Sequence, residues 1–314
     1  MGGIKERARR ESVKGFIFDV KRFAVYDGPG IRTTIFFKGC PLHCLWCHNP
    51  EGINRGPELI SRSARCSRCY SCVKACPKKA LSPGPNKGAV VVNRSRCDLC
   101  GKCVDACAYE ALEIAGRRTT VGDLVAEAAR DGVFYEQSGG GVTLSGGEPL
   151  AQPAFAIALL EELKARGIST ALDTSGSADK DVLTRAASLS DVILYDLKTM
   201  DDSVHRRFVK SDNGLILENL RRLDRCGRPL RVRIPLVADV NDGEENIAAS
   251  IGFLKTLSSV QRVDLLKYHK GGQEKYKNLG KQSRFQIFEP PSDERMEEIR
   301  RAFAGTGLSV SIGG

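Results

Sequence analysis

The stretch Gly39–Pro50, GCPLHCLWCHNP, places Cys40, Cys44 and Cys47 at C-x3-C-x2-C, and the next cysteine is Cys66. A structural metal site is closed by four ligands, whereas a catalytic one keeps a position open. Three thiolates at this spacing can hold three irons of a [4Fe–4S] cube. The fourth iron is then left without a protein ligand.

The next two cysteine groups have a different form. CSRCYSCVKACP (66–77) contains Cys66, Cys69, Cys72 and Cys76; CDLCGKCVDACA (97–108) contains Cys97, Cys100, Cys103 and Cys107. Both read C-x2-C-x2-C-x3-C, the run of two-cluster bacterial ferredoxins, in which the fourth cysteine serves the other cluster. The expected ligand sets are Cys66, Cys69, Cys72 and Cys107 for one cluster and Cys97, Cys100, Cys103 and Cys76 for the other. Pro77 follows the first run and Ala108 the second, a change in turn preference that removes no ligand. Zinc knuckles are the competing reading. The remaining cysteine, Cys226, follows Leu220 and Leu223 on a helical stripe and is expected to be a buried free thiol.

Composition limits the rest. The chain has 314 residues, 41% of them hydrophobic, and a formal net charge of +10. No apolar run is long enough to cross a membrane. The start, MGGIKERARRESVKG, is basic with no apolar stretch behind it. It is read as a flexible tail over 1–14 rather than a secretory signal. Lys and Arg are scattered, not clustered with aromatics, so neither nucleic acid nor membrane is expected as a partner. Twelve cysteines with no secretory signal indicate metal ligation in the cytoplasm rather than disulfides.

Strand-like and helical segments alternate through the rest of the chain, which argues for a parallel sheet with crossover helices. Strand candidates are RTTIFFK (32–38), GVTLS (141–145), STALDT (169–174), DVILYDL (191–197), LRVRIPLV (230–237) and RVDLLKYH (262–269). Helical stripes lie between them, in PAFAIALLEELKARG, NGLILENLRRLDRCG and ENIAASIGFLKTL. The fold class is α/β: a partial (β/α)6 barrel over 15–57 and 115–314, with a ferredoxin-like α+β insert over 58–114. Function in such folds gathers where strands end. Here those ends carry Cys40; Gly146, Gly147 and Glu148; Asp173, Thr174 and Ser175; Asp196 and Lys198; and His269, with Arg233 inside the fifth strand. The glycines let a ligand approach the backbone closely.

With these features assembled, the chain resembles the radical S-adenosylmethionine (SAM) superfamily, and within it the activating enzymes of glycyl-radical enzymes. The resemblance spans roughly residues 15–314. It rests on DGPGIRTTIFFKGCPLHCLWCHNPE, SGGGVTLSGGEPL, LDTSG, YDLKTMDDSVHRRF and the YH pair at 268–269. Relatives commonly have LPYH where this chain has Lys267-Tyr268-His269. The insert matches longer members, such as those serving glycerol dehydratase and choline lyase, and is absent from the pyruvate formate-lyase type.

The resemblance implies three [4Fe–4S] clusters, with Cys40, Cys44 and Cys47 holding the one that binds SAM. It implies that Trp46 and His48 flank that cluster. Gly146, Gly147 and Glu148 are expected at the methionyl end of SAM, and Asp196, Leu197, Lys198, Arg233 and His269 around the rest. Asp173 and Thr174, with Asp196, are the implied cradle for a monovalent cation. Asp27 to Arg32 are the implied loop facing a glycyl peptide. The implied activity is reductive cleavage of SAM to a 5′-deoxyadenosyl radical that takes a Cα hydrogen from a glycine of the partner enzyme. Ferredoxin or flavodoxin is the implied electron donor, the insert clusters the relay, and the chain a monomer. A radical SAM enzyme acting on a small molecule or ribosomal peptide is the alternative. A plain electron-transfer or zinc protein would explain eight cysteines but not the open motif.

Overall fold

The computed structural model describes residues 2–313. The chain begins with helix α1 (Gly2–Glu11), followed by β1 (Lys14–Ala24) and β2 (Arg32–Phe37). It then passes through small elements: β3 (Glu58–Ser61), α2 (Ser71–Ala75), β4 (Leu81–Gly84), β5 (Gly88–Val92), α3 (Lys102–Asp105) and β6 (Leu112–Ala115). After β7 (Arg117–Thr120) come α4 (Val121–Ala129), α5 (Gly132–Ser138), β8 (Gly141–Gly146), α6 (Pro153–Ala165) and β9 (Thr170–Thr174). Next are α7 (Lys180–Leu189), β10 (Val192–Asp196), α8 (Asp202–Phe208), α9 (Gly214–Arg225) and β11 (Leu230–Leu236). The chain closes with α10 (Glu244–Leu254), β12 (Val260–Lys267), α11 (Gly272–Asn278), α12 (Asp293–Ala302) and β13 (Ser309–Ile312).

Nine strands form one sheet in the order β13-β12-β11-β10-β9-β8-β2-β1-β7. From β2 to β13 neighbours are parallel, and β1 pairs antiparallel with both β2 and β7. The parallel strands follow chain order without a reversal, so the crevice of a doubly wound sheet does not arise. Their buried faces explain the near-continuous apolar runs: β8 and β9 are covered on both sides. Four helices begin at side-chain caps, with Thr120 and Asp123 forming a capping box on α4 and Asp179, Asp201 and Ser292 capping α7, α8 and α12.

The sheet is wider than six strands. β7 (RRTT) has no apolar pattern and β13 is four residues long, so neither stands out in sequence. The N-terminal stretch also differs from the expected flexible tail. Residues 2–11 are helical, and Arg7 and Arg10 reach Glu162 of α6 at 3.2 and 3.6 Å. Glu162 is only 1% exposed. A carboxylate shut under a helix needs cationic partners, and the tail's arginines, with Arg166 at 3.2 Å, supply them.

The cysteine-rich segment has its own small core of Leu59, Cys72, Leu81, Cys103 and Leu112. Two two-stranded sheets, β3 with β6 and β4 with β5, frame it. Cys226 is exposed rather than buried. Helix α9 ends at Arg225, so Cys226 becomes its C-cap, turned away from the apolar stripe.

Candidate active site

A cavity of about 560 Å³ lies at the C-terminal ends of the parallel strands, within the size range of small-molecule sites. Cys40, Cys44 and Cys47 line it together with Trp46, His48, Gly146, Gly147, Asp173, Asp196, Lys198, Arg233 and His269. The three thiols lie on the loop after β2, which is held by backbone bonds from His43 N to Val209 O (3.1 Å) and Leu45 N to Phe208 O (2.9 Å). Trp46, 4% exposed, packs edge-on against Phe288 at 5.9 Å and anchors the loop. Burial pushes all three thiols up, Cys44 to about 12. They form thiolates only against a compensating cation such as iron.

Strand alternation sorts the rim residues. Asp196 of β10 pairs in register with Arg233 of β11, and Leu194 with Asp173 of β9. With a side-chain period of two, Asp173, Asp196 and Arg233 share the inner face. Arg233 bridges both aspartates, donating from Nε to Asp196 at 2.8 Å and from Nη2 to Asp173. Lys198 donates to the other Asp196 oxygen at 2.7 Å, and Ser145 to Asp173 at 2.6 Å. Burial opposes ionisation of Asp196, but Arg233 and Lys198 outweigh it and hold the carboxyl below its usual range.

Three of the residues expected around SAM or its cation fall outside the cavity. Thr174 lies on the opposite face of β9, and its hydroxyl donates to Glu148 at 2.9 Å. Glu148 is fully buried, accepting also from Ser175 N (2.9 Å), Ser175 Oγ (2.7 Å) and Leu150 N (3.2 Å). It is therefore a brace between β8 and β9. Leu197 is core, 1% exposed. The expected cation cradle is likewise not assembled, because the Arg233 guanidinium lies between the two aspartates and Thr174 faces away. Arg32, expected in the peptide-facing loop, is 0% exposed. It donates to Thr143 Oγ1 (2.7 Å) and Val142 O (2.8 Å), so it forms part of the interior. Asp27 does line the cavity.

The glycines behave as anticipated. Gly146 has φ +107, and a Cβ there would sit 2.4 Å from Phe37 N. At Gly147 a Cβ would meet the carbonyls of Gly39 and Gly52, each at 2.4 Å. The cysteine loop and the strand end thus touch only because no side chain intervenes. The two imidazoles, 221 residues apart, stack at 3.8 Å, and a His48 ring nitrogen meets His269 O at 2.8 Å. Burial, reinforced by His269, lowers His48 to about 4, so the ring is neutral at physiological pH. Ser175 and Tyr268, both marked at strand ends, also line the cavity, as does Val237, the last residue of an apolar strand candidate and without a mark of its own.

The insert contains two smaller cavities. Cys97, Cys100 and Cys103 line one together with Cys76; Cys66, Cys69 and Cys72 line the other together with Cys107. Among the described residues no three His, Cys, Asp or Glu side chains converge on a single-ion position. The thiols stand around cavities instead, a spread that suits a polynuclear group.

The chain matches the radical SAM superfamily model over residues 96–251 and a 4Fe-4S dicluster domain model over 58–108. The first match starts beyond Cys47, so the open motif stands on its own residues. A trans-4-hydroxy-L-proline dehydratase activating enzyme from Clostridioides difficile is 43% identical over 95% of this chain and 99% of its own. A choline trimethylamine-lyase activating enzyme from Oleidesulfovibrio alaskensis is 37% identical over 95% of this chain and 98% of its own. The pyruvate formate-lyase 2-activating enzyme of Escherichia coli is 35% identical over 98% of this chain and 94% of its own. The insert therefore does not set this chain apart from every relative with a pyruvate formate-lyase name.

Fold, cysteines and relatives together define a radical SAM iron–sulfur enzyme. The chain belongs to the activating enzymes of glycyl-radical enzymes, which cleave SAM and install a glycyl radical on a protein partner.

Proposed function

We propose that this chain works with three [4Fe–4S] clusters: one on Cys40, Cys44 and Cys47, one on Cys66, Cys69, Cys72 and Cys107, and one on Cys97, Cys100, Cys103 and Cys76. The observation that carries the reading is that three half-buried thiols and a charged rim open into one cavity. The crossed assignment in the insert is supported by Cys76 and Cys107 each lining the other run's cavity. When bound, the open cluster with SAM supplies one-electron cleavage and a deoxyadenosyl radical that takes a hydrogen from a partner glycine.

The chain's own residues bind and orient. Gly146 and Gly147 expose backbone to the methionyl end of SAM. Lys198 and Arg233 set positive charge beside it, and Asp196, held ionised, accepts hydrogen bonds. The stacked pair His48 and His269 presents a flat wall to the adenine. No proton transfer is needed, so positioning is their contribution. The parallel sheet curls as a partial barrel over 15–57 and 115–314, and 58–114 is the insert that feeds it electrons from a ferredoxin or flavodoxin. The chain acts as a monomer on its larger partner, and hydroxyproline dehydratase and choline lyase are the first partners to try.

The test is anaerobic reconstitution with SAM, reductant and a candidate partner, followed by EPR. A glycyl doublet on the partner, with deoxyadenosine released, is expected. Deoxyadenosine formed only with an unrelated small substrate refutes the reading.

A further inference from the structure

The two four-cysteine runs are equivalent in sequence but not in space. Only one of their cavities is tied to the main site, and α11 is the tie. Its first residue packs on the cysteine loop: a Cβ at Gly272 would sit 2.9 Å from Cys47 O. One turn on, Tyr276 is 1% exposed and lies against Cys47 and Cys44, where burial and the two sulfurs push its phenol up. Lys275 donates to Asn49 at 3.1 Å.

The other end of α11 meets the insert. Asn278 O accepts from Arg94 Nη2 at 3.2 Å, and the Nη1 of the same guanidinium donates to Leu59 O at 2.7 Å. Leu59 is a wall of the cavity of Cys76, Cys97, Cys100 and Cys103. Leu279 packs on Ile60 and Ala115 in a cluster separate from both main cores. Lys281 reaches Glu58 at 2.5 Å, and Lys38, just before the cysteine loop, reaches the same carboxylate at 3.3 Å. Both insert cavities are walled by residues of 58–114, but the lining of the Cys66, Cys69, Cys72 and Cys107 cavity, which includes the exposed Tyr109, has no residue bonded to Arg94 or α11.

We propose that α11 and Arg94 form the electron bridge between insert and active site, with the Cys97 cavity near and the Cys66 cavity far. One electron passes from the reduced donor protein to the far cavity, then to the near one, then along this contact to Cys47. No bond changes and no proton moves. Seven residues of helix span about 10 Å, so the bridge is short. Arg94, Lys281 and Lys38 along it favour the arriving negative charge. The proposal rests on the three-cluster reading, which iron and sulfide content tests separately.

Pulsed EPR on the reconstituted, dithionite-reduced chain reads the order directly. Cys97→Ala should abolish the magnetic coupling that speeds relaxation of the Cys40–Cys47 cluster, and Cys66→Ala should leave it. The reverse pattern overturns the order. For the bridge, reduction of that cluster by photoreduced flavodoxin is followed in Arg94→Ala at wild-type iron content. The rate should fall about tenfold, the scale of outer-sphere losses at metal sites, with Arg94→Lys restoring part of it. An unchanged rate overturns the bridge. If Arg94→Ala does not hold its iron, Tyr276→Leu is the substitute, with the same two outcomes.

Discussion

The Cys40–Cys47 loop and the insert face one problem, holding thiolates, and Cys44 and Cys69 mark its two extremes. In the loop the thiols are half-buried in the wall of the cavity, and their partial burial raises Cys44 to about 12. In the insert Cys69 is exposed, and hydrogen bonds from the backbone and hydroxyl of Ser71 lower it to about 7. Cys69 is therefore prepared as a ligand before any metal arrives, while the buried Cys72 and Cys103 of the insert are pushed up by burial, Cys103 to about 11, as the loop thiols are. The loop thiols rely on a metal to become thiolates.

The largest expected break in this comparison is Cys44→Ala. It should eliminate the SAM-binding cluster signal and the partner's glycyl radical while leaving the insert's EPR signals, because the two regions fold around separate cores. Retained radical formation would sink the assignment. Second is Arg233→Ala, which leaves Asp173 and Asp196 without their shared cation. Breaking one partner of a buried ion pair costs about 3–5 kcal/mol, so the midpoint of thermal unfolding should drop well below wild type, and SAM binding with it. An unshifted melt would show that the two carboxylates find other compensation.

Third is the pH response of Glu148. Burial raises it to about 7 from the ordinary 4.5. The folded chain therefore keeps a proton that the unfolded chain has lost across that window, so stability falls as pH rises from about 4.5 to 7 and then levels. The contribution is about 3 kcal/mol at most. Glu148→Gln should flatten this slope in thermal melts across that window, and an unchanged slope refutes the assignment. The smallest effect sharpens the comparison itself. In metal-free protein at pH 8, brief alkylation should label Cys69 ahead of Cys44, since the first is largely thiolate and the second is not. Peptide mass spectrometry reads the order, and equal labelling removes the contrast.

Much of the site was legible because its residues sit at strand ends that a period-two pattern marks. Cys40, Gly146, Asp173, Asp196 and His269 all follow or close apolar runs, and all line the cavity. Thr174 and Glu148 were misplaced for a related reason: a strand end names the neighbourhood but not the face, and one residue's shift turns the side chain away. Arg32 misled because a charged residue in a glycine-rich loop reads as exposed. Only the carbonyls and hydroxyl around it permit its burial.

By itself the sequence determined how many thiols each run offers, because neighbouring ligands of one cluster are set by local spacing. It also determined that the strands after residue 115 would run parallel with helices crossing between them. The ferredoxin-type spacing also assigned each fourth cysteine to the other run, whose cavity it lines. Tertiary structure decided the rest. It alone brought Arg233 between two aspartates, and set α11 from the cysteine loop to the insert. These contacts join residues tens to hundreds of positions apart, and only the packing of sheet, loop and insert brings them together.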